Sequence, residues 1–333
     1  MRRIALAIGD PNGIGPEIAV KAALHFAERG DGPMPILVGD RDVILHYAAG
    51  RALQDDPQCW GPGELNLSPC QALPPGAFRP GAVTAEAGAA TVAYMRQALA
   101  LVREGVADAI VGAPHNETAV ARAGIDFSGY PNLLADLMNV PRDQVFLMLV
   151  GGGLRIVHAT LHESMVAAIA RLRPELVAAA GLAAARALVS LGIAAPRIGV
   201  FGFNPHAGEG GLFGDDDARV TEPAVALLRA AGVAAEGPMG ADTMLVRGGL
   251  DAYVAIFHDQ GHIPVKLLAP RNASALSIGA GVMFSSVGHG SAHDIAGQGI
   301  AEFSGVIGAL TILGGGRSSV LTDRTRQQSK HSG

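Results

Sequence analysis

The sequence has little cysteine and no long apolar run. Its 333 residues include only two cysteines, Cys59 and Cys70, which excludes a disulfide framework and a thiolate metal cluster. No apolar stretch approaches the ~18 residues that a membrane-spanning helix needs. The N-terminal run IALAIGDP is too short and ends too early for a signal peptide. We therefore expect a cytoplasmic protein that has no membrane partner.

Positive charge and aromatic residues are also scarce. Lys and Arg number 25 against 30 Asp and Glu, and this net charge of −5 argues against a nucleic-acid-binding surface. Aromatic residues make up 5% of the chain, whereas glycine occurs 45 times. A chain of this length buries a full core without disulfides. This composition suits helices packed closely on a sheet, with many tight turns.

Short apolar runs alternate with longer helical patterns. The runs are RIALAIG, PILVGD, DAIVGAP, QVFLMLVG, LRIVHAT, RIGVFGF and AYVAIF. Proline in first turns and glycine at helix ends predict helices at 16–30, 84–105, 174–191 and 221–232. Such alternation predicts an α/β fold with a largely parallel sheet covered on both faces. Residues 55–80, rich in proline and glycine, are predicted to be irregular.

Polar side chains directly follow several of these runs, where a parallel sheet collects its ligands. Three such loops each carry a histidine: His162, His206 and His258. Neutral imidazole is a common metal ligand, and a catalytic ion often has three protein ligands. Asp242 and Asp259 are candidates for carboxylates beside the ion. Hydrogen-bonded surface histidines remain the alternative on spacing alone.

Two further residues have weaker signals. His158, four residues before His162, is predicted to be a packed structural histidine on a strand. Lys266 is the only lysine in its neighbourhood, and it could clamp a carboxylate or phosphate or act as a general acid. Most lysines are merely solvated.

Two glycine-rich segments are candidates for nucleotide contact. GDPNGIGPE, at residues 9–17, links the first strand to the first helix but is not a G-x-G-x-x-G fingerprint, so a Rossmann site is disfavoured. HGSAHDIAGQG, at residues 289–299, would let backbone amides contact a nucleotide, and Asp294 could bind adenine or ribose. A plain turn and a glycine-rich connector are the respective alternatives.

The order of eight motifs resembles the 4-hydroxythreonine-4-phosphate dehydrogenase family from Ile4 to Leu313. They are GDPNGIGPE, GAPH, FSGY, LRIVHATLHES, NPHAGEGG, GPMGADT, HDQGHIPVK and SSVGHGSAHDIAGQGIA. The resemblance implies a two-domain isocitrate/isopropylmalate dehydrogenase-like fold with the active site in the interdomain cleft. We expect a first domain at 1–125 plus 285–318, a second at 126–284, and a flexible tail at 319–333.

The same resemblance implies a metal site and a homodimer. His162, His206 and His258 match the ligands of one divalent ion (Zn, Fe, Mg or Mn), and His162 is expected to complete the partner's site. Asp242 and Asp259 match acidic residues near the ion, and we expect catalytic roles for both and for Lys266.

Substrate and cofactor residues follow by the same matching. His115, Asn116 and Lys266 fall where the family contacts substrate. NAD-binding positions are expected at Gly13, His289, Gly290, Ser291, Ala292 and Asp294.

The pattern departs from the phosphothreonine enzymes at two substrate positions. Counting on from Lys266 without gaps, Ala275 and Phe284 stand where the family has Asn and Arg, although Arg271 and Asn272 lie nearby. Phenylalanine cannot replace the bidentate grip of arginine on phosphate.

Within the family, FSGYPNLLA, GPMGAD and ASALSIG look like the terephthalate dihydrodiol dehydrogenases. That similarity implies metal-dependent, NAD-linked oxidative decarboxylation of terephthalate dihydrodiol to protocatechuate, CO2 and NADH. The alternative substrates are 4-hydroxythreonine 4-phosphate, 4-phosphothreonate and 4-phosphoerythronate. A non-catalytic metal- or nucleotide-binding protein is the alternative of another class.

Overall fold

The computed structural model describes residues 1–127, 129–270, 273–287 and 290–315. They form two compact units. One comprises Met1–Leu133 with the described residues from Val282 onward, and the other comprises Leu134–Gly281. Within the described chain, no helix is long and apolar enough to cross a membrane.

Four sequence predictions lie outside the described residues. They concern the tail at 319–333, the NAD-loop residue His289, and the nearby pair Arg271 and Asn272.

Strands occur in all seven of the predicted apolar runs. The described residues contain β1 (Arg3–Ala7), β2 (Met34–Gly39), β3 (Leu53–Gln54), β4 (Leu65–Pro69), β5 (Ala109–Gly112), β6 (Phe146–Gly151), β7 (Leu154–His158), β8 (Arg197–Phe201), β9 (Ala234–Met239), β10 (Ala252–Ala255), β11 (Ser274–Ile278) and β12 (Phe284–Ser286).

The helices also follow the predicted pattern. Over the same described ranges they are α1 (Gly15–Arg29), α2 (Arg41–Tyr47), α3 (Ala85–Arg103), α4 (Glu117–Arg122), α5 (Tyr130–Met138), α6 (Met165–Arg171), α7 (Pro174–Ser190), α8 (Glu222–Ala230), α9 (Ala241–Arg247), α10 (His258–Leu268) and α11 (Ser304–Leu313). The four predicted helices correspond to α1, α3, α7 and α8. Thr84 caps α3 by accepting a hydrogen bond from the N–H of Ala87, and Gly30 ends α1 with a φ of 66°.

The first unit has a parallel sheet in the order β3-β4-β2-β1-β5-β12. Strand β2 is buried along its whole length, as expected for a sheet covered on both faces. Because the strands are parallel, the loops after β1, β5 and β12 leave from the same edge of this sheet. These loops carry the GDPNG turn, His115 and the 290–299 segment.

The second unit has the strand order β11-β6-β7-β10-β8-β9. Strand β6 pairs antiparallel with both β7 and β11, whereas β7, β10, β8 and β9 pair parallel. Gly152 and Gly153 have φ values of 57° and 77°, which allow the two-residue turn of a hairpin between β6 and β7. Val265 of α10 is buried in the core formed by Leu149, Ile156 and Tyr253, and this packing fixes α10 on the sheet.

The prediction that residues 55–80 are irregular is wrong at β4. In this five-residue strand, Leu65 and Leu67 are buried and pair β4 with β2 and β3. The strand was missed because two apolar residues among many prolines and glycines give too short a pattern.

Candidate active site

Four histidines lie together at one edge of the second sheet. His158 ends β7 and His162 follows it, while His258 and His262 stand one turn apart at the start of α10. They meet because β7 pairs parallel with β10 and α10 begins directly after β10. The ring centroids of His162 and His258 are 5.6 Å apart, and those of His258 and His262 are 3.7 Å apart in a stacked arrangement.

The start of α10 is held in place by Gln260. Its side-chain oxygen accepts hydrogen bonds from the N–H groups of Ile256 and Phe257, at 2.9 and 3.1 Å. Its amide nitrogen donates to the carbonyl of Gly202 after β8, at 3.0 Å. The orientation of His258 therefore depends on contacts from two neighbouring strands.

His158 is packed, as the sequence predicts, with 2% of its surface exposed. Its Nδ1 lies 3.1 Å from the carbonyl of Leu147, and its Nε2 lies 3.0 Å from Nδ1 of His262. Burial lowers the pKa of His158 to about 3 and the pKa of His262 to about 4, so both rings are neutral at pH 7.

The pair His162 and His258 fits a divalent ion. Two imidazoles on one tetrahedral ion, with metal–nitrogen bonds of about 2.0–2.1 Å, have ring centroids roughly 5 Å apart. Nδ1 of His258 donates to Oδ1 of Asp259 at 2.7 Å, which leaves Nε2 for a metal. Burial, followed by the neighbouring His258, lowers the pKa of His162 and favours its neutral, ligating form. The stacked, parallel ring of His262 is unsuited to the same ion.

His206 lies in a different loop. It has a φ of 54°, in a turn where Ala207 and Glu209 are also left-handed. Such a conformation is costly outside glycine and needs support, which the buried Asp217 provides by accepting hydrogen bonds from the N–H groups of Phe203 and Asn204.

Asp242 is a neighbour of His206. A Cβ on Gly240 would lie 2.9 Å from Oδ1 of Asp242 and 3.8 Å from Cα of His206. Across the described residues, no group of three or more His, Cys, Asp or Glu side chains is arranged to hold a metal ion. The structure thus places His162 beside His258, but within the described residues it does not gather the three predicted ligands into one group.

Lys266 lies on the same face of α10 as His258 and His262, because the three are spaced four residues apart. It is exposed, and its charge contributes to lowering the pKa of His262. The helix therefore presents two imidazoles and one ammonium group in a row.

The first unit contains a cavity of about 310 Å³ beside His115. His115, Glu117, Tyr130, Ser286 and Gly290 are among its lining residues, and its described lining includes no lysine or arginine. Burial lowers the pKa of His115, and the ring packs edge-on against Tyr130 at 4.5 Å. The hydroxyl of Tyr130 donates to the carbonyl of Ala113 at 2.8 Å. The rings of Tyr130 and His115 thus form an aromatic wall in a lining that otherwise consists mainly of small residues.

Ala275 and Phe284, the two positions that differ from the phosphothreonine enzymes, lie on different strands. Ala275 is on β11, paired with Leu149. Phe284 is fully buried on β12, with its ring centroid 4.9 Å from that of Tyr130. A Cβ on Gly112 would lie 2.9 Å from the Phe284 ring, which shows how closely this ring is packed. Phe284 therefore backs the aromatic wall.

The two glycine-rich segments pack against each other in the first unit. The N–H of Ile14 donates to the carbonyl of Ser291 at 2.9 Å, and a Cβ on Gly13 would lie 2.8 Å from that same oxygen. The buried carboxylate of Glu17 accepts hydrogen bonds from the N–H of Ala301 and from Lys21. The GDPNG turn thus supports the 290–301 loop.

That loop carries the described residues of the predicted NAD site. Ala292 has a φ of 37°, and Asp294 is exposed, so its carboxylate is available to accept hydrogen bonds from ribose hydroxyls. Behind it, Nε2 of His293 lies 3.4 Å from Oδ2 of Asp10, a fully buried carboxyl whose pKa is raised by burial.

The family model described as "Pyridoxal phosphate biosynthetic protein PdxA" matches residues 32–313. The chain belongs to the PdxA family. It is 48% identical over 316 residues to 1,2-dihydroxy-3,5-cyclohexadiene-1,4-dicarboxylate dehydrogenase of Comamonas sp, covering 94% of this chain and 97% of that one. It is 39% identical over 320 residues to D-threonate 4-phosphate dehydrogenase of Cupriavidus necator, covering 92% and 95%.

Solved PdxA-family structures agree with this fold. Terephthalate 1,2-cis-dihydrodiol dehydrogenase from Burkholderia xenovorans LB400 aligns with a TM-score of 0.79 and 49% identity, covering 94% of this chain and 98% of that one. 4-Hydroxythreonine-4-phosphate dehydrogenase from Klebsiella pneumoniae aligns with a TM-score of 0.84 and 35% identity, covering 94% and 98%. The chain is thus a PdxA-family dehydrogenase.

Three residues that lie beside the predicted site residues were not predicted from the sequence: His262, His293 and Asp10. His262 had a detectable signal, because HDQGH places two histidines four residues apart at the start of a helix. The contact between Asp10 and His293 joins residues 283 positions apart, and no local pattern indicates it.

We expect Asp259→Asn to weaken metal binding about 10- to 100-fold while leaving the fold intact. The neutral amide would accept the hydrogen bond from His258 Nδ1 more weakly than the carboxylate does. His258 would therefore be a weaker and less well oriented metal ligand. Titration with Co²⁺, followed by visible absorption, measures this affinity. Asp56→Asn, on the exposed surface of the first unit, is the control. Unchanged Co²⁺ affinity would show that Asp259 does not support a ligand.

Proposed function

We propose that this chain catalyses the metal-dependent, NAD-linked oxidative decarboxylation of terephthalate dihydrodiol to protocatechuate, CO2 and NADH. The observation that carries this proposal is the cavity in the first unit, whose described lining presents the rings of Tyr130 and His115 and has no lysine or arginine. Glu117 adds a negative charge there. A dianionic phosphate needs cationic donors, whereas a planar diene ring suits an aromatic wall.

In the second unit, His162 and His258 would hold the ion, with Asp259 orienting His258. In the first unit, Gly13, Gly290, Ser291, Ala292 and Asp294 would bind NAD. When bound, the ion supplies a Lewis acid that lowers the pKa of the substrate hydroxyl, and NAD supplies the hydride acceptor.

The substrate carries its secondary hydroxyl on C2, next to the carboxylate-bearing C1. Loss of a hydride from C2 and of the hydroxyl proton leaves a ketone whose neighbouring carbon carries the carboxylate. This β-keto acid loses CO2, the electron pair of the broken C–C bond enters the ring, and aromaticity is restored. The C2 oxygen regains a proton, so no proton is gained or lost overall. The hydroxyl proton would pass to a base beside the ion, for which Asp259 or a water is the candidate. Lys266 would bind the carboxylate, donate a proton to the C2 oxygen and regain one from that base.

We further propose a homodimer built on the second unit. Helix α6 exposes Met165, Val166 and Ile169, and α10 exposes Ile263 and Leu267. Exposed apolar groups of this kind mark interaction surfaces.

For the ligand that a second copy supplies, we propose an assignment different from the one that the family resemblance implies for His162. Since His162 already lies beside His258 of its own chain, His206 is the donor that a second copy would supply. Asp242 would accompany it.

A dehydrogenase of a four-carbon phosphorylated hydroxy acid is the second candidate. The 39% identity to a D-threonate 4-phosphate dehydrogenase favours it. It requires cationic groups for the phosphate, and the described lining of the cavity contains no lysine or arginine.

The deciding experiment is a substrate panel with metal-reconstituted enzyme and NAD, followed by NADH absorbance and CO2 release. We expect stoichiometric NADH and CO2 from terephthalate dihydrodiol and no turnover of 4-phosphothreonate, 4-phosphoerythronate or 4-hydroxythreonine 4-phosphate. Each substrate without NAD is the control. Turnover of the phosphorylated substrates alone would reject the dihydrodiol proposal in favour of the second candidate.

A further inference from the structure

The hydrogen-bond chain behind α10 fixes which nitrogen of His262 carries a proton. Nδ1 of His158 faces the carbonyl of Leu147, which can only accept, so this Nδ1 carries a hydrogen. His158 is buried and neutral, so its Nε2 has no hydrogen and accepts. The contact of 3.0 Å between this Nε2 and Nδ1 of His262 therefore requires that His262 Nδ1 donates. His262, when neutral, is left with an unprotonated Nε2.

Close packing makes this arrangement specific. A Cβ on Gly261 would lie 2.3 Å from Nε2 of His158, so glycine is needed for α10 to approach the buried histidine. The ring of His262 is held on one edge by His158 and on one face by His258, at 3.7 Å between centroids and 12° between planes. Its Nε2 lies on the edge opposite the anchored one, and the residue is only half-buried.

The neighbours of His262 on α10 differ from it in their hydrogen-bonding roles. Lys266, one turn further along α10, can only donate hydrogen bonds. Asp259 receives the Nδ1 proton of His258. Among His258, His262 and Lys266, which form one row on α10, His262 Nε2 is thus an acceptor available to a ligand that lies against His258.

We propose that His262 Nε2 accepts a hydrogen bond from the substrate hydroxyl that is not oxidised, the one on C1 of the dihydrodiol. This inference rests on the proposed function. The C2 hydroxyl reacts, so the C1 hydroxyl needs its own acceptor once the substrate excludes water, because an unmade hydrogen bond there weakens binding. His262 is accordingly a residue that selects a vicinal diol over a substrate with a single hydroxyl.

Two product-like inhibitors test this contact. The C1 hydroxyl of the dihydrodiol becomes the 4-hydroxyl of protocatechuate, and 3-hydroxybenzoate lacks only that group. We expect the wild type to bind protocatechuate about tenfold more tightly than 3-hydroxybenzoate, as one hydrogen bond allows. In His262→Phe, which keeps a ring against His258 but has no acceptor, this tenfold preference should disappear. In His262→Gln, whose Oε1 replaces Nε2 as acceptor, it should return.

The readout is the ratio of the two inhibition constants against dihydrodiol oxidation, which a general loss of stability would not change. Co²⁺ titration of each variant checks that the ion still binds. An unchanged ratio in His262→Phe, with the wild type active, would overturn this inference alone. A wild type that does not oxidise the dihydrodiol would overturn both this inference and the proposed function.

Discussion

His258→Ala is expected to lower kcat/KM by about a thousandfold or more, because in the proposed mechanism it removes a metal ligand and with it several kcal/mol of Lewis-acid stabilisation. His258 is the most connected histidine of the site: it faces His162, stacks on His262 and is oriented by Asp259. Alanine removes the imidazole that would bind the metal, so His162 would be left without its neighbouring ligand. Bound metal, measured by elemental analysis after dialysis, should fall with the activity.

The matched control is His46→Ala, since His46 is an exposed histidine in the first unit. It should retain both metal and activity. His162→Ala should resemble His258→Ala if the two rings share one ion. Full activity and metal content in His258→Ala would show that the His162–His258 pair binds no catalytic ion, and the proposed mechanism would fail with it.

The sequence predicted which loops carry the candidate site residues, but it did not predict which of these residues lie close together. His162 and His258 follow β7 and β10, and the carboxyl ends of parallel neighbours meet, so their proximity follows from strand order alone. The position of His206 depends instead on the left-handed turn at 206–210. A left-handed turn of this kind depends on tertiary contacts such as the hydrogen bonds of Asp217. The spacing of residues along the chain does not predict such contacts.

The fold was predictable where patterns were long. Helices α1, α3 and α7 have clear first-turn and terminal signals, and each begins and ends within about two residues of its prediction. The short strand β12 was not predicted, because three residues carry no periodicity. Gly152 and Gly153 are a signal for the hairpin of β6 and β7. However, both strands are as apolar as buried parallel strands, so their pattern does not indicate antiparallel pairing.

Phe284→Arg is expected to destabilise the protein by at least about 3–5 kcal/mol and to give no phosphate binding. The sequence comparison alone suggests the opposite, that arginine here would restore a phosphate grip. However, Phe284 is fully buried against Tyr130 and Gly112. Losing a buried aromatic ring costs about 3–5 kcal/mol, and an unpaired buried charge adds to that.

Urea unfolding measures the loss of stability, and inhibition by 4-phosphothreonate measures phosphate binding. Phe284→Leu, which keeps most of the apolar volume, is the control and should lose less than about 1.5 kcal/mol. A folded Phe284→Arg variant that binds 4-phosphothreonate tightly would contradict this expectation. It would mean that the strand opens to let the guanidinium reach the cavity, and that the charge at this one buried position, rather than the aromatic wall around Tyr130, decides between a phosphate and a ring.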